Sequence, residues 1–356
     1  MDLFRTKPIS ALHAEADASH ELKKSLSPVN LVSLGIGAVI GAGIFVITGN
    51  AAALYAGPAI VISFIISGLG CLFAGLCYAE FAAMLPIAGS AYTYAYATLG
   101  EFVAWIIGWD LILEYLFASS TVAVGWSGHA QDFLVEFGMR LPAALRQAPI
   151  RYTSAGGFQP TGALFDLPAA AIVVLLTCLL VVGIKESATF NNLMVIVKVS
   201  VLLAVIGFGA WFLFGHPALA RANLTPFIPP NTGRFGEFGW SGIFKGAAVI
   251  FFAYIGFDAV STTAQEARNP RRDMPIGILG SLGICMLIFV GVSFVLCGMA
   301  RYTELNSPAP VVYALKQAGA PVALRVCVEI AAIAGLSSVI LVMLMGQPRI
   351  FFSMAK

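Results

Sequence analysis

Charge is what this sequence has least of. Only 11% of its 356 residues are Asp, Glu, Lys or Arg, against about a quarter in soluble globular domains. A soluble fold of this length needs a charged exterior, and this chain cannot furnish one. The 20 basic and 18 acidic residues nearly cancel. Without stripes of Lys and Arg, a nucleic-acid partner is excluded. The six cysteines, Cys71, Cys77, Cys178, Cys285, Cys297 and Cys327, lie inside apolar runs without metal-ligand spacing. They read as small buried side chains rather than disulfides or ligands, and neither a metal nor a cofactor is implied. H-E-x-x-H, G-x-S-x-G and a His paired with a nucleophile inside a span are all missing, so an embedded enzyme lacks support. The first 30 residues are polar and mixed in charge, with no short apolar core before a cleavage site, which argues against a cleaved signal peptide.

What is there is hydrophobic: 59% of the chain, with a mean hydropathy of +0.89. The excess must face lipid, which predicts an all-α polytopic protein embedded in a bilayer. Apolar runs of about 20 residues, the length of a hydrocarbon crossing, mark eight segments. They cover 31–55, 59–84, 102–130, 167–184, 190–214, 241–264, 276–300 and 321–346. Loops rich in Pro and Gly follow segment 3 (Gln131 to Asp166) and segment 5 (Gly215 to Trp240). Lys185-Glu186-Ser187 reads as a short link making a tight hairpin of segments 4 and 5. With a cytoplasmic N-terminus, Lys23, Lys24, Lys185, Arg268, Arg271, Arg272 and Arg349 fall inside, and the positive-inside rule supports this orientation.

Glycine is abundant where a helix should resist it. Segment 1 reads SLGIGAVIGAGIFVITGN from Ser33 to Asn50, although each glycine costs a helix interior about 1 kcal/mol relative to alanine. One reading is close packing, since Gly37-x-x-x-Gly41 is a small-xxx-small pattern. Segment 6 adds a second observation, with Gly256 in mid-span followed by Asp258. Glycine interruptions in the first and sixth segments point to an inverted-repeat transporter with a midplane site. A helix broken at depth exposes N–H groups suited to a carboxylate and C=O groups suited to an ammonium. One substrate class carries both groups side by side, the α-amino acids.

At these residues a family resemblance enters. GIGAVIGAGIF resembles the first-helix signature of the amino acid–polyamine–organocation superfamily. FFAYIGFDAVSTTAQEARNPRRDMPIGI, GWDLILEY and NNLMVIVKVS resemble the bacterial relatives of cationic amino acid transporters. The resemblance implies a leucine-transporter-type fold in which segments 1–5 (31–214) form one repeat and segments 6–8 (241–356) belong to a second, after a cytoplasmic segment 1–30. Such proteins usually have twelve spans, so eight spans imply a C-terminally incomplete second repeat. It also implies proton-coupled or exchange transport of amino acids, in a bacterial inner membrane. Backbone N–H groups around Ile40, Gly41, Ala42 and Gly43 would hold the substrate carboxylate. Carbonyls around Phe252, Ala253 and Ile255 would hold its amino group, under an aromatic lid from Phe251 or Phe252. Ala42 stands where many relatives have Ser or Thr, which leaves more of the binding to the backbone.

Charged residues inside spans are costly and functional by default. Lys198 lies about 12 Å along segment 5 from its start. It either snorkels to the cytoplasmic interface or titrates within the bundle. The resemblance implies the second, with its ammonium in the place of a sodium ion, tying segment 5 to segments 1 and 8. Glu114, one turn beyond Asp110, is either a structural carboxylate or a partner of the substrate side chain or a proton. Asp258 either pairs with a lysine or caps the start of the second half-helix of segment 6, where a carboxylate suits the dipole, or else it meets the substrate. Ser337 and Ser338 either contact a cation or back-bond to their own helix. QEARNPRRDMP reads as a topology-setting turn that also forms gating ion pairs. The leading function is secondary amino acid transport by alternating access. The alternative is a transport-incompetent sensor or assembly subunit that keeps the binding site.

Overall fold

The computed structural model describes residues 5–8, 24–87, 89–136, 138–153, 157–307 and 309–355. Lys23 and most of the segment 1–30 lie outside them. All eight apolar segments are helical. Among the described residues, six runs are long and apolar enough to cross a membrane: Gly43–Met84, Glu101–Val135, Glu186–Gly215, Gly239–Glu266, Pro270–Met299 and Val322–Ala355. The first of these joins segment 2 to the half of segment 1 that lies away from the N-terminal end of the bundle. Half-helices on that side of the breaks are called outer and those on the other side inner. Pro28–Val39 and Leu167–Val182 are shorter apolar helices, forming the inner half of segment 1 and segment 4.

Segments 1 and 6 are each broken. Segment 1 starts at the Ser27 cap, whose hydroxyl accepts from Asn30 N at 3.3 Å, with Pro28 at the first position. Its helix ends at Val39, where Ile40 turns extended (ψ 99°). It resumes as a wide π-helical turn over Gly43–Ile47. Segment 6 is helical over Gly239–Tyr254, extends at Ile255 (ψ 138°) and turns at Gly256 with φ 113°. That φ lies in the left-handed region that glycine tolerates. The chain continues as a tight 3₁₀ helix over Asp258–Glu266. Its hydroxyls explain the tightening. Ser261, Thr262 and Thr263 each donate to the carbonyl three residues back, at 2.6, 2.7 and 2.7 Å, the i to i+3 spacing of a 3₁₀ turn.

Segment 7 packs against segment 2 and the inner half of segment 1, while the outer half of segment 6 packs on segment 2. Segment 8 lies along segments 3 and 5. The two groups meet at the breaks and along the packing of segment 5 on segment 7. Near the N-terminal end, Ser25 N and Leu26 N donate to Glu266 O at 2.9 Å each, and Arg268 N returns a bond to Leu26 O at 3.0 Å. The QEARNPRRDMP turn and the start of segment 1 therefore share one end of the bundle.

Two sequence expectations shift. The turn between segments 4 and 5 is Gly183, and Lys185-Glu186-Ser187 lie inside the helix Ile184–Gly215. The reason is local: Gly183 O accepts both the backbone N–H of Ser187, at 3.1 Å, and its hydroxyl, at 2.8 Å. The loop after segment 3 also holds secondary structure, with β1 (Ile150–Thr153) paired antiparallel to β2 (Gly157–Pro160). Asp166 then caps segment 4, accepting from Ala169 N at 3.0 Å.

Candidate functional site

Breaking two helices creates four ends, and the fold treats them differently. The carbonyl end of the inner half of segment 1 is closed by Lys198. Its Nζ donates to Gly37 O at 2.9 Å, Ile40 O at 2.8 Å and Ser338 Oγ at 2.7 Å. An ammonium has three donors, and all three are used. The Ser338 hydroxyl in turn lies 2.9 Å from Gly37 O and 2.7 Å from Gly335 O, one of which takes its proton. Lys198 is fully buried. The titratable neighbour acting on it is the Cys285 thiol of segment 7.

The N–H end of the inner half of segment 6 begins with Asp258, an acidic residue in the first turn, where a negative charge suits the helix dipole. Its Oδ2 accepts from the Tyr115 hydroxyl at 2.7 Å. Glu114, next to Tyr115 on segment 3, is close enough to interact electrostatically with Asp258.

The other two ends stay open and face each other. The first N–H groups of the outer half of segment 1, at Ala42 and Gly43, have no carbonyl one turn behind them in the broken helix. The last carbonyls of the outer half of segment 6 reach Tyr254, with Phe252 O accepting only from Ile255 N at 3.3 Å. The two ends touch: a side chain on Gly43 would collide with Ala253 Cβ and Cα. Likewise a Cβ on Gly256 would meet Ala38 at 2.8 Å and the Met343 methyl at 2.9 Å, and one on Gly41 would meet Val339 at 2.7 Å. Glycine is thus required by close approach at both breaks.

Between them lies a cavity of about 30 Å³, bounded by Gly41, Ala42, Gly43, Phe252 and Ile255 at the breaks. Ala118 and Val122 of segment 3 and Val339 and Met343 of segment 8 also line it. No charged side chain lines it among the described residues. Glu114, Ala118 and Val122 share one face of segment 3 at i, i+4 spacing, but Glu114 lies a turn away from the cavity and beside Asp258. Of the two candidate lids, Phe252 borders the cavity and Phe251 does not. Ile40 contributes its carbonyl to Lys198 rather than lining the cavity. Ser337 back-bonds to Ile333 O at 2.8 Å and accepts from Trp126 Nε1 at 2.9 Å, so of the serine pair Ser338 alone meets the ammonium. His129 of segment 3 meets Glu329 of segment 8 at 3.1 Å.

An ion pair at the shared end joins Glu266, an acidic residue of the QEARNPRRDMP stretch read as forming ion pairs, to Arg349 of segment 8. Arg349 Nη2 and Nε reach Glu266 Oε1 at 2.6 and 3.2 Å, and Nη1 reaches Met345 O at 2.7 Å. Both side chains are largely buried. Arg349→Ala leaves a buried carboxylate unpaired, so a loss of about 3–5 kcal/mol is expected. Thermal unfolding in detergent measures it, and Arg349→Leu with Glu266→Leu should regain much of that loss. Equal stability of wild type and Arg349→Ala would show that the pair holds nothing.

A buried lysine, two facing helix ends and an apolar cavity within a bundle of membrane-spanning helices fit a polytopic membrane carrier. The amino acid permease family model matches residues 26–356, and the chain belongs to that family, a family of transporters rather than enzymes. It is 45% identical to the methylthioribose transporter of Bacillus subtilis (strain 168) over 354 residues, 99% of this chain and 72% of that protein. It is also 45% identical to the branched-chain amino acid permease BcaP of the same organism, with the same coverage of 99% and 72%. Cationic amino acid transporter 4, vacuolar, of Arabidopsis thaliana is 38% identical over 99% of this chain and 56% of that protein. Mhp1, a nucleobase-cation-symport-1 family transporter solved in a closed conformation with bromovinylhydantoin bound, shares the fold. Its TM-score is 0.54 at 10% identity, covering 100% of this chain and 70% of that one. The fold is of the leucine-transporter type.

Proposed function

We propose that the protein moves small neutral amino acids across the membrane by alternating access, coupled to protons through Lys198. The observation that carries the reading is the pair of open helix ends. N–H groups at Gly41, Ala42 and Gly43 bind the substrate carboxylate. Carbonyls of Phe252, Ala253 and Ile255 bind its ammonium, Phe252 closes over it, and the side chain enters the apolar space between segments 3 and 8. The lining favours aliphatic over cationic side chains, because burying an ammonium there without a carboxylate partner is costly. The branched-chain specificity in the name of the Bacillus permease supports the same choice. A cavity of about 30 Å³ must widen to admit an amino acid, so substrate entry requires the breaks to part.

The proton step uses the ammonium as a removable tie. Protonated, Lys198 holds segments 1, 5 and 8 together. Once it is neutral, the grip on Gly37 O and Ile40 O weakens and the inner half of segment 1 is freed to swing. In this reading residues 31–214 form the first repeat and 241–356 belong to the second. Residues 1–30 and the basic end of the bundle face the cytoplasm, and the protein resides in a bacterial inner membrane. The bacterial relatives and the clustering of Arg268, Arg271, Arg272 and Arg349 near segment 1 support this placement.

The test is thermal stabilisation of the purified protein by amino acids. At a ligand concentration of about 100 times Kd, a bound amino acid stabilises by about 2.7 kcal/mol. Leucine, valine and alanine should raise the unfolding temperature, whereas lysine and arginine should not. Stabilisation by lysine or arginine alone would replace the aliphatic assignment with a cationic one. Stabilisation by methylthioribose and by no amino acid would overturn the substrate class.

A further inference from the structure

Between the inner half of segment 1 and segment 5 runs a seam of small polar side chains that the binding site does not use. At its foot, Asn192 Nδ2 meets Asn30 Oδ1 at 3.3 Å, and both residues are partly exposed. One turn higher, Asn191 Nδ2 donates to Ser33 O at 3.1 Å, and both residues are buried. The Asn191 side-chain oxygen lies against Gly37, where any Cβ would collide with it. The carbonyl of that same Gly37 holds Lys198 Nζ at 2.9 Å. Positions 30, 33 and 37 share a face of segment 1, and 191 and 198 share a face of segment 5. The seam thus climbs about 10 Å from the bundle end to the ammonium.

Three oxygens along it are buried and have no hydrogen-bond partner among the described residues: Asn192 Oδ1, Asn191 Oδ1 and Ser33 Oγ. A buried acceptor left unsatisfied costs about 1–3 kcal/mol, and folded proteins meet such groups with bound water. Three in succession, ending beside a buried amine, are more than packing between two helices calls for. Leucine or alanine would pack the same space at no such cost.

We infer that this seam holds a file of water molecules that carries protons between Lys198 and the aqueous phase at the N-terminal end of the bundle, with Asn191 and Ser33 positioning the waters. The inference rests on the proton-coupling role proposed for Lys198. In the step it describes, the Lys198 ammonium gives one proton to the adjacent water, and that water passes one on toward Asn192 and bulk solvent. Lys198 is left as the neutral amine, and one proton has crossed the seam. The groups facing Lys198 are the carbonyls of segment 1, Ser338 of segment 8 and the Cys285 thiol of segment 7. The seam itself contributes no titratable side chain.

The experiment uses the protein in vesicles loaded with a pH-sensitive dye, with L-leucine as the probe. In Asn191→Leu, proton entry accompanying leucine uptake should fall about tenfold, equivalent to 1.4 kcal/mol in the barrier. Leucine–leucine exchange, which moves no net proton, should keep its rate. Asn191→Ser, which restores a small polar oxygen, should recover most of the proton flux, and Ser33→Ala should lie between. Wild-type proton entry in Asn191→Leu overturns the inference, and so does loss of exchange together with proton entry, which marks a structural role. If Asn191→Leu does not fold, Ser33→Ala decides alone, and an unchanged proton flux in it overturns the inference equally. The underlying reading fails separately: Lys198→Met carrying protons with leucine at the wild-type rate would remove it.

Discussion

Lys198→Met abolishes the response of leucine uptake to an imposed proton gradient. Methionine keeps most of the side-chain length and apolar volume, so packing between segments 5, 1 and 8 changes little, while the only removable proton in the tie is gone. In wild type, acid on the side opposite the N-terminus accelerates uptake, because protons then enter with the substrate and reload Lys198. The variant should show the same low rate with and without the gradient, a loss of at least about tenfold in driven uptake. Removing the donor also orphans Ile40 O, at about 1–3 kcal/mol, and leaves Gly37 O with only the Ser338 hydroxyl, so the variant should also melt earlier. Leucine binding is expected to survive, since Ala42, Gly43 and Phe252 are untouched. Gradient-driven uptake at the wild-type rate would dismiss Lys198 as the coupling group. Uptake that ignores the gradient in wild type as well would favour exchange over proton-driven transport, and no uptake at all would favour the transport-incompetent sensor.

Gly43→Val eliminates amino acid binding while leaving the bundle folded. Gly43 is where the two open helix ends meet, and a Cβ there strikes Ala253 Cβ and backbone. Neither neighbour is the far end of a flexible side chain, so the two half-helices must separate. Separation pulls the N–H groups at Ala42 and Gly43 away from the carbonyls of segment 6, and both ends of the zwitterion lose their shared geometry. Stabilisation by leucine should vanish, a change of about 2.7 kcal/mol at saturating ligand. The Lys198 bonds lie on the far side of the break and should persist, so the unliganded protein should still unfold cooperatively. Undiminished stabilisation by leucine in Gly43→Val would place the substrate elsewhere. Gly70→Val is the control, because a Cβ at Gly70 meets nothing within 4 Å.

Much of this was legible in the residues. Gly41, Gly43 and Gly256 mark the breaks, because only glycine permits so close an approach, or the left-handed turn, at membrane depth. Lys198 stood out because a charge inside an apolar run demands partners, and its partners on segments 1 and 8 are those the resemblance implied. Asp258 begins a half-helix, as its position after Gly256 indicated. Glu114 was harder to read. Its spacing from Ala118 and Val122 aligns it with the cavity, yet segment 6 brings Asp258 beside it a turn away. Phe251 and Phe252 are adjacent in sequence and equally aromatic, and the roll of the half-helix chooses Phe252. The Asn191–Ser33 seam carries no signal in sequence, since each residue alone is an ordinary polar helix residue.

By itself the sequence determined the class, the eight segments and the two interrupted helices. Each follows from the cost of placing a charge, a glycine or an unpaired backbone group in lipid, a cost set by composition and local order. Only the tertiary structure decided which helix ends are closed and which stay open to a substrate. That depends on whether a side chain more than a hundred residues away, Lys198 for one end and Tyr115 for Asp258 at another, reaches the break.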